Sequence, residues 1–323
     1  MSASDFFLVS IGIIYVSVSL LRIMEEIFRT AKLYVFPKFF KQKLTKFGEW
    51  AVITGGSSGI GRLTAFELAK SGLKIMLVSN EVEELKTTKE DIEAKFGAEC
   101  CYVMADLTGG KEVHDRLWSE IKDKDVGIFV NCAGISGRTP CHFLKESVSN
   151  TLTMIALNLR VVVDTTYRIT NYYVKKNRGV VVNVSSAASS FPLSYFALYS
   201  SCKRFVDLFT KAVNTELTDD GIMLQSLTPC FVNTRMVTAN LRTRNFTMLI
   251  TSCETFCKNW VACIGRCESY AGYWLHEIPI YVLSTFPEFF INFVSKSIFT
   301  AIKKKKKKKK NKTNNKLKPK RLF

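Results

Sequence analysis

Between residues 48 and 235 short, nearly unbroken apolar runs alternate with stretches of helical periodicity, and this alternation narrows the fold more than any other feature. The runs are AVIT at 51–54, KIMLVS at 74–79, CCYVMA at 100–105, GIFV at 127–130, VVVNV at 180–184 and MLQSL at 223–227. A strand covered on one face alternates apolar and polar residues, whereas a continuous apolar run needs cover on both. Strands of this kind, separated by amphipathic helices, build a parallel sheet with helices on each side. The expected fold is therefore α/β, a doubly wound, Rossmann-like parallel sheet. An apolar fraction of 47% in 323 residues is ample for such a core and excludes a disordered chain.

The first strand runs into Thr54-Gly55-Gly56-Ser57-Ser58-Gly59-Ile60-Gly61, and the helical RLTAFELAK follows. Glycines at 55, 59 and 61 give G-x3-G-x-G, a variant of the dinucleotide-binding spacing. Such a turn lets backbone approach a pyrophosphate and aims a helix N-terminus at it. Gly55, Ser57, Ser58, Gly59, Ile60 and Gly61 are thus expected to hold a dinucleotide. An acid at the end of the second strand would bind the ribose 2′-hydroxyl and repel a 2′-phosphate. Ser79 and Asn80 stand there instead, with Glu81, Glu83 and Glu84 following on the next helix. Arg62, directly after the last glycine, could reach a phosphate. NADP(H) is therefore expected ahead of NAD(H).

Tyr-x3-Lys places a phenol and an ammonium on one helix face. The spacing occurs at Tyr34/Lys38, Tyr172/Lys176 and Tyr199/Lys203. A serine thirteen residues upstream separates them: Leu21 and Leu159 occupy that place for the first two pairs, Ser186 for the third. Ser186 also ends the run VVVNVSS, at the carboxyl edge where ligands bind in open α/β sheets. A phenol titrates near ~10, and a neighbouring ammonium would lower that value toward neutrality.

These motifs resemble the short-chain dehydrogenase/reductase family over roughly residues 48–235. The resemblance implies Tyr199 as the acid/base, Lys203 as its partner, Ser186 as the carbonyl-binding hydroxyl and Asn158 as a helix residue holding a proton-relaying water. It also implies cofactor contacts from Arg62, Asn80, Asp106, Asn131, Ala133, Gly134, Tyr199, Lys203, Pro229, Val232 and Thr234. Lys46-Phe47-Gly48-Glu49-Trp50, DKDVGIFVN at 123–131, SLTPCFVNT at 226–234 and GYWLHEIP at 272–279 are similar to its membrane-bound branch. That branch acts on 17-ketosteroids and 3-oxoacyl-CoA esters. Three positions depart from the pattern: Asn80 stands where the branch has arginine, Cys132 replaces an asparagine, and Cys230 replaces a common glycine. The implied activity is reduction of a carbonyl on an apolar lipid or steroid. A second class stays open, a catalytically idle scaffold that binds dinucleotide or partner proteins. Tyr199 favours the enzyme, because phenylalanine replaces the tyrosine in the idle relatives.

The ends of the chain read differently. FFLVSIGIIYVSVSLL at 6–21 carries no charge and, as a helix, spans about 24 Å. MSASD lacks the basic region of a cleavable signal peptide. Arg22, Arg29, Lys32, Lys38, Lys41, Lys43 and Lys46 follow the run and place the rest of the chain in the cytosol. The expected layout is a membrane anchor over 1–24, a basic linker over 25–47, a dinucleotide-binding catalytic domain over 48–235, a helical substrate-pocket extension over 236–300 and a polylysine tail over 301–323. The aromatic stretch 273–299, broken by Pro279 and Pro287, suits an interfacial element or a lid. The resemblance implies the endoplasmic reticulum membrane, with a mitochondrial membrane as the alternative, and a homodimer paired through long helices.

Thirteen positive charges of the net +18 lie between residues 303 and 321, so the rest of the chain is close to balanced. The basic character belongs to the tail, which could attract anionic lipid, and no nucleic-acid partner is expected. Arg242 and Arg244 could meet an acyl-CoA phosphate. Among ten cysteines, Cys253, Cys257, Cys263 and Cys267 form two C-x3-C pairs that could hold zinc. Their helical surroundings read instead as packing thiols in a reducing compartment, and no metal is expected.

Overall fold

A computed structural model of the chain describes residues 2–137, 141–240 and 250–301. Arg242, Arg244 and the polylysine tail lie outside the described residues. The chain divides into two units, Met1–Gln42 and Lys43–Phe323.

The first unit is helical, with α1 over Ala3–Tyr34 and α2 over Phe36–Phe39. Its start is fixed reciprocally: the Asp5 N–H donates to Ser2 Oγ at 3.2 Å, and the Ser2 N–H donates to the Asp5 carboxylate at 2.8 Å. Serines inside the apolar run turn their hydroxyls onto their own helix. Ser10 Oγ donates to the Phe6 carbonyl at 2.8 Å and Ser19 Oγ to that of Tyr15 at 2.7 Å. Their polarity is thus satisfied without water. The helix continues past Arg22 for another turn and more, so its 32 residues exceed the uncharged run. It is long and apolar enough to cross a membrane.

The second unit is built on β1 (Trp50–Thr54), β2 (Lys74–Ser79), β3 (Cys100–Met104), β4 (Val126–Asn131), β5 (Gly179–Val184), β6 (Ile222–Leu227) and β7 (Ser269–Tyr270). The sheet order is β3-β2-β1-β4-β5-β6-β7, and each neighbouring pair is parallel. Helices α3 (Gly59–Lys70), α4 (Val82–Phe96), α5 (Lys111–Ile121), α6 (Val148–Ile155), α7 (Val161–Val174) and α8 (Ala197–Leu217) form the crossovers. Further on come α9 (Arg235–Asn240), α10 (Cys253–Val261), α11 (Trp274–Ser284) and α12 (Glu288–Ala301). Covered on both faces, Val52, Ile53, Ile75, Leu77, Ile128, Val130, Val180 and Val182 are sealed from solvent. This double cover is why the strands lack polar alternation.

The strand order reverses between β1 and β4, which opens a crevice beyond their carboxyl ends. Thr54 shapes its mouth, with Oγ1 accepting from the N–H groups of Cys132 at 3.0 Å and Ala133 at 3.1 Å. Below it, polar side chains inside the dry sheet satisfy one another. Asn131 Nδ2 donates to Asn183 Oδ1 at 2.8 Å, Thr165 Oγ1 to Asn131 Oδ1 at 2.8 Å, and Asn183 Nδ2 to Thr210 Oγ1 at 2.9 Å.

The segment read as a substrate-pocket extension also contributes to the sheet, since β7 adds to β6 with Leu227 opposite Tyr270. Its cysteines pack inside: Cys253, Cys257 and Cys263 are buried, and Cys257 Sγ meets the Ile60 carbonyl of α3 at 3.6 Å. Helices α11 and α12 meet at an angle of 118° around Pro287.

Candidate active site

A cavity of about 530 Å³ occupies the crevice. Gly55, Ser57, Ser58, Gly59, Ile60 and Gly61 line it from the β1–α3 turn, and Asn80 and Asp106 from the ends of β2 and β3. Ala133 and Gly134 follow β4, while Tyr199, Lys203, Pro229, Val232 and Thr234 close the far end. The residues that the glycine motif and the resemblance named separately therefore converge on one cleft. A Cβ at Gly61 would sit well inside van der Waals contact of the Gly55 carbonyl oxygen, so the turn closes only on glycine. Ser58 enters α3 in an extended conformation without a side-chain cap, which leaves first-turn N–H groups facing the cleft. Asp106 accepts from the Thr108 N–H at 3.0 Å and its hydroxyl at 2.7 Å, bonds that hold its carboxyl below the ordinary range.

Two of the expected cofactor residues do not line the cavity. The Arg62 guanidinium is bonded to Asp91 on α4 and lies 5.3 Å from the Phe66 ring centroid. Asn131 spends its side chain on the buried Asn183–Thr165 network. Conversely, Glu81 does line it.

The proposed reacting groups lie where β5 meets α8. Tyr199 and Lys203 sit one turn apart on α8, and Ser186 follows β5 with its Oγ accepting from the Ala188 N–H at 3.1 Å. Lys203 Nζ donates to the Val184 carbonyl at 2.8 Å and stands 5.9 Å from the Tyr199 ring centroid. One donor of its three is thus spent on the wall of the cavity. Ser185, a residue without a sequence signal of its own, ties the helix to the strand by donating to the Lys203 carbonyl at 2.6 Å. Burial pulls the Lys203 ammonium down to about 8. Burial pushes the Tyr199 phenol above its usual value, and a hydrogen bond with Ser186 works in the opposite direction. The sequence reading expects Lys203 and an oxidised nicotinamide together to lower the phenol. In this structure burial dominates, and the phenol is held protonated. Desolvation likewise pushes the half-buried Cys132 thiol up to about 12, so it stays neutral.

Asn158 lies in a π-turn, Ala156–Arg160, inserted between α6 and α7 and closed by the Val161 N–H on the Ala156 carbonyl. Its amide clamps Ile135 from both sides, with Oδ1 accepting from the Ile135 N–H at 3.1 Å and Nδ2 donating to its carbonyl at 2.8 Å. The clamp fixes the backbone at Gly134, where a Cβ would come within 2.8 Å of Asn158 Oδ1 and 3.5 Å of Lys203 Nζ. Such π-turns have no signature in single-residue propensities, although they gather at functional sites.

A second cavity, about 210 Å³ and apolar, adjoins the first. Ser186, Tyr199, Pro229 and Cys230 line both. Its own walls come from Leu193, Phe196, Phe231 and, from α12, Phe299. The rings of Phe196 and Phe299 are 5.0 Å apart, and the Tyr195 hydroxyl meets Thr300 Oγ1 at 3.3 Å. The aromatic stretch read as a lid or interfacial element thus supplies one wall of this cavity. A protonated phenol, a serine hydroxyl and an ammonium at the junction of a polar and an apolar cavity can deliver a proton to an oxygen developing negative charge. The glycine turn, the open N-terminus of α3 and the free donors of Lys203 fit a dinucleotide in the larger cavity.

Comparison with known proteins follows the same lines. The family model described as short chain dehydrogenase matches residues 49–245. The 17-beta-hydroxysteroid dehydrogenase type 3 of Rattus norvegicus is 33% identical over 286 residues, 87% of this chain and 90% of that protein. The very-long-chain 3-oxoacyl-CoA reductase of the same organism is 33% identical over 244 residues, 75% of this chain and 77% of its own. An inactive hydroxysteroid dehydrogenase-like protein 1 of Pongo abelii is 28% identical over 280 residues, 86% of this chain and 85% of its own. In structure, the short-chain dehydrogenase from Sphingobium yanoikuyae in complex with NADPH superposes with a TM-score of 0.60 at 22% identity, over 64% of this chain and 81% of that one.

Proposed function

The chain belongs to the short-chain dehydrogenase family, and from that premise we propose that it reduces the carbonyl of an apolar lipid, a 3-oxoacyl-CoA or a 17-ketosteroid, with Tyr199 as proton donor. The observation that carries the reading is the position of Tyr199 and Ser186, which line both the dinucleotide-sized cavity and the apolar one. A nicotinamide dinucleotide bound in the larger cavity would supply the hydride to the carbonyl carbon. Ser186 holds the carbonyl oxygen by hydrogen bond. Tyr199, kept protonated by burial, gives its proton to that oxygen as negative charge develops. Lys203, charged at neutral pH, steadies the phenolate left behind. Asn158 keeps the Gly134–Ile135 floor in place beneath the ammonium.

The substrate class is supported by the apolar walls and by the similarity to a 17-beta-hydroxysteroid dehydrogenase and a very-long-chain 3-oxoacyl-CoA reductase. Helix α1 supports anchoring in a membrane, which we assign to the endoplasmic reticulum with the second unit in the cytosol. The exposed Tyr167 on α7 and the exposed Phe205 and Leu208 on α8 suit pairing of two copies. A second reading, an idle dinucleotide-binding scaffold, draws on the inactive relative. Both readings are tested by following dinucleotide oxidation by the full-length protein with each substrate class, beside Tyr199→Phe. Activity that disappears in the variant supports the reductase. Tight dinucleotide binding without turnover by either protein supports the scaffold.

A further inference from the structure

We infer that Glu81 selects NAD(H) over NADP(H), contrary to the preference expected from Ser79, Asn80 and Arg62. The inference rests on the dinucleotide-binding reading of the larger cavity. In an open α/β sheet of this kind the residue following β2 meets the adenosine ribose, where an acid accepts from the 2′-hydroxyl and an arginine accommodates a 2′-phosphate. The sequence has no acid at 79 or 80, but the structure brings one in from the next position.

Glu81 caps the start of α4, and its carbonyl accepts from the Leu85 N–H at 3.0 Å. Its side chain folds back over the end of β2 toward the glycine turn. Ser57 Oγ donates to Glu81 Oε2 at 2.6 Å and lies 3.0 Å from Ser79 Oγ. The Glu81 N–H in turn donates to Ser79 Oγ at 3.3 Å. Ser57 and Ser79 are both buried, so the carboxylate is held by fixed groups at the rim of the cavity. The second carboxylate oxygen accepts no hydrogen bond from the described residues and would be the acceptor for a ribose hydroxyl.

The cations that could offset this charge are engaged. Arg62 is bonded to Asp91, a carboxylate it shares with Lys95 at 2.9 Å. Arg235, across the cleft, lies 3.8 Å from Glu84. Asn80 brings no charge where the membrane-bound branch has arginine. A 2′-phosphate would therefore meet a fixed carboxylate within a few ångströms, while a 2′-hydroxyl would find an acceptor.

The test is equilibrium binding of NADH and of NADPH to the full-length protein in detergent micelles, followed by quenching of tryptophan fluorescence and needing no turnover. Wild type is expected to bind NADH at least roughly tenfold more tightly than NADPH, and Glu81→Gln to remove most of that ratio by tightening NADPH. Unchanged thermal melting of Glu81→Gln would show that the shift is local. Asn80→Arg should move the ratio the same way through added positive charge. Tighter binding of NADPH by wild type, or an unchanged ratio in a folded Glu81→Gln protein, overturns the inference and leaves the reductase reading standing. Failure to bind either dinucleotide overturns both.

Discussion

Lys203 carries a conflict that decides the pH behaviour of the site. Burial brings its ammonium down to about 8, so it is charged at neutrality and gives up its proton just above. A phenolate at Tyr199 needs that charge. Reductive turnover should therefore fall as pH rises through about 8, a limb that steady-state rates between pH 6 and 10, on the order of one point per half unit, would trace. Lys203→Met should lower turnover by about 100-fold or more and remove the limb. Tyr199→Phe should lower it at least as far while dinucleotide binding, read by titration, stays at the wild-type level. The convergence of Ser186, Tyr199 and Lys203 on one cavity was legible because the three have a recognisable spacing along the chain. Glu81 was not. It reaches the cleft through a side chain that bends back to Ser57, and nothing in the spacing of residues encodes that bend. Arg62 misled for the same reason: its neighbour in space is Asp91, twenty-nine positions away.

At the level of elements, the strands were readable because double burial leaves a plain signature, unbroken apolar runs. The exceptions inside those runs hold the sheet in register. Asn131 and Asn183, on adjacent central strands, would each strand a partner if removed. Asn183→Leu takes one hydrogen-bond partner from each of Asn131, Thr166 and Thr210, and should cost about 1–3 kcal/mol for each group it leaves unsatisfied, seen as a lower melting temperature. The segment Phe47–Gly48 presses so closely on Gly127 of β4 that any Cβ there would collide with backbone. Gly127→Ala is expected to destabilise the fold severely in the same melting experiment, with no direct effect on the cleft. This contact gives a physical reason for the glycines in KFGEW and DVGIFV. The π-turn at Asn158 was not legible, because one extra residue in a helical turn changes neither composition nor periodicity enough to register.

On the scale of the whole molecule, α1 and the sheet unit make separable demands. Deleting residues 2–34 is expected to move the protein from the pelleted membrane fraction to the supernatant on ultracentrifugation while dinucleotide binding persists. Retention in the pellet would shift the anchoring role to the bent pair α11–α12. The sequence set the anchor at residues 1–24, whereas α1 runs on to Tyr34 through Glu25, Glu26 and Arg29, because charged residues do not stop a helix. It also separated residues 236–300 as an extension, whereas β7 from that stretch lies in the sheet itself. The order in which these parts are made has a further consequence. The dinucleotide cleft is bounded by residues no later than Val237, whereas the apolar cavity needs Phe299 for one wall. An elongating polypeptide therefore completes the lining of its nucleotide cleft some sixty residues before that wall emerges from the ribosome. A truncation that keeps β7 and α11 but removes α12 would leave a dinucleotide-sized cleft beside an apolar chamber open on one side.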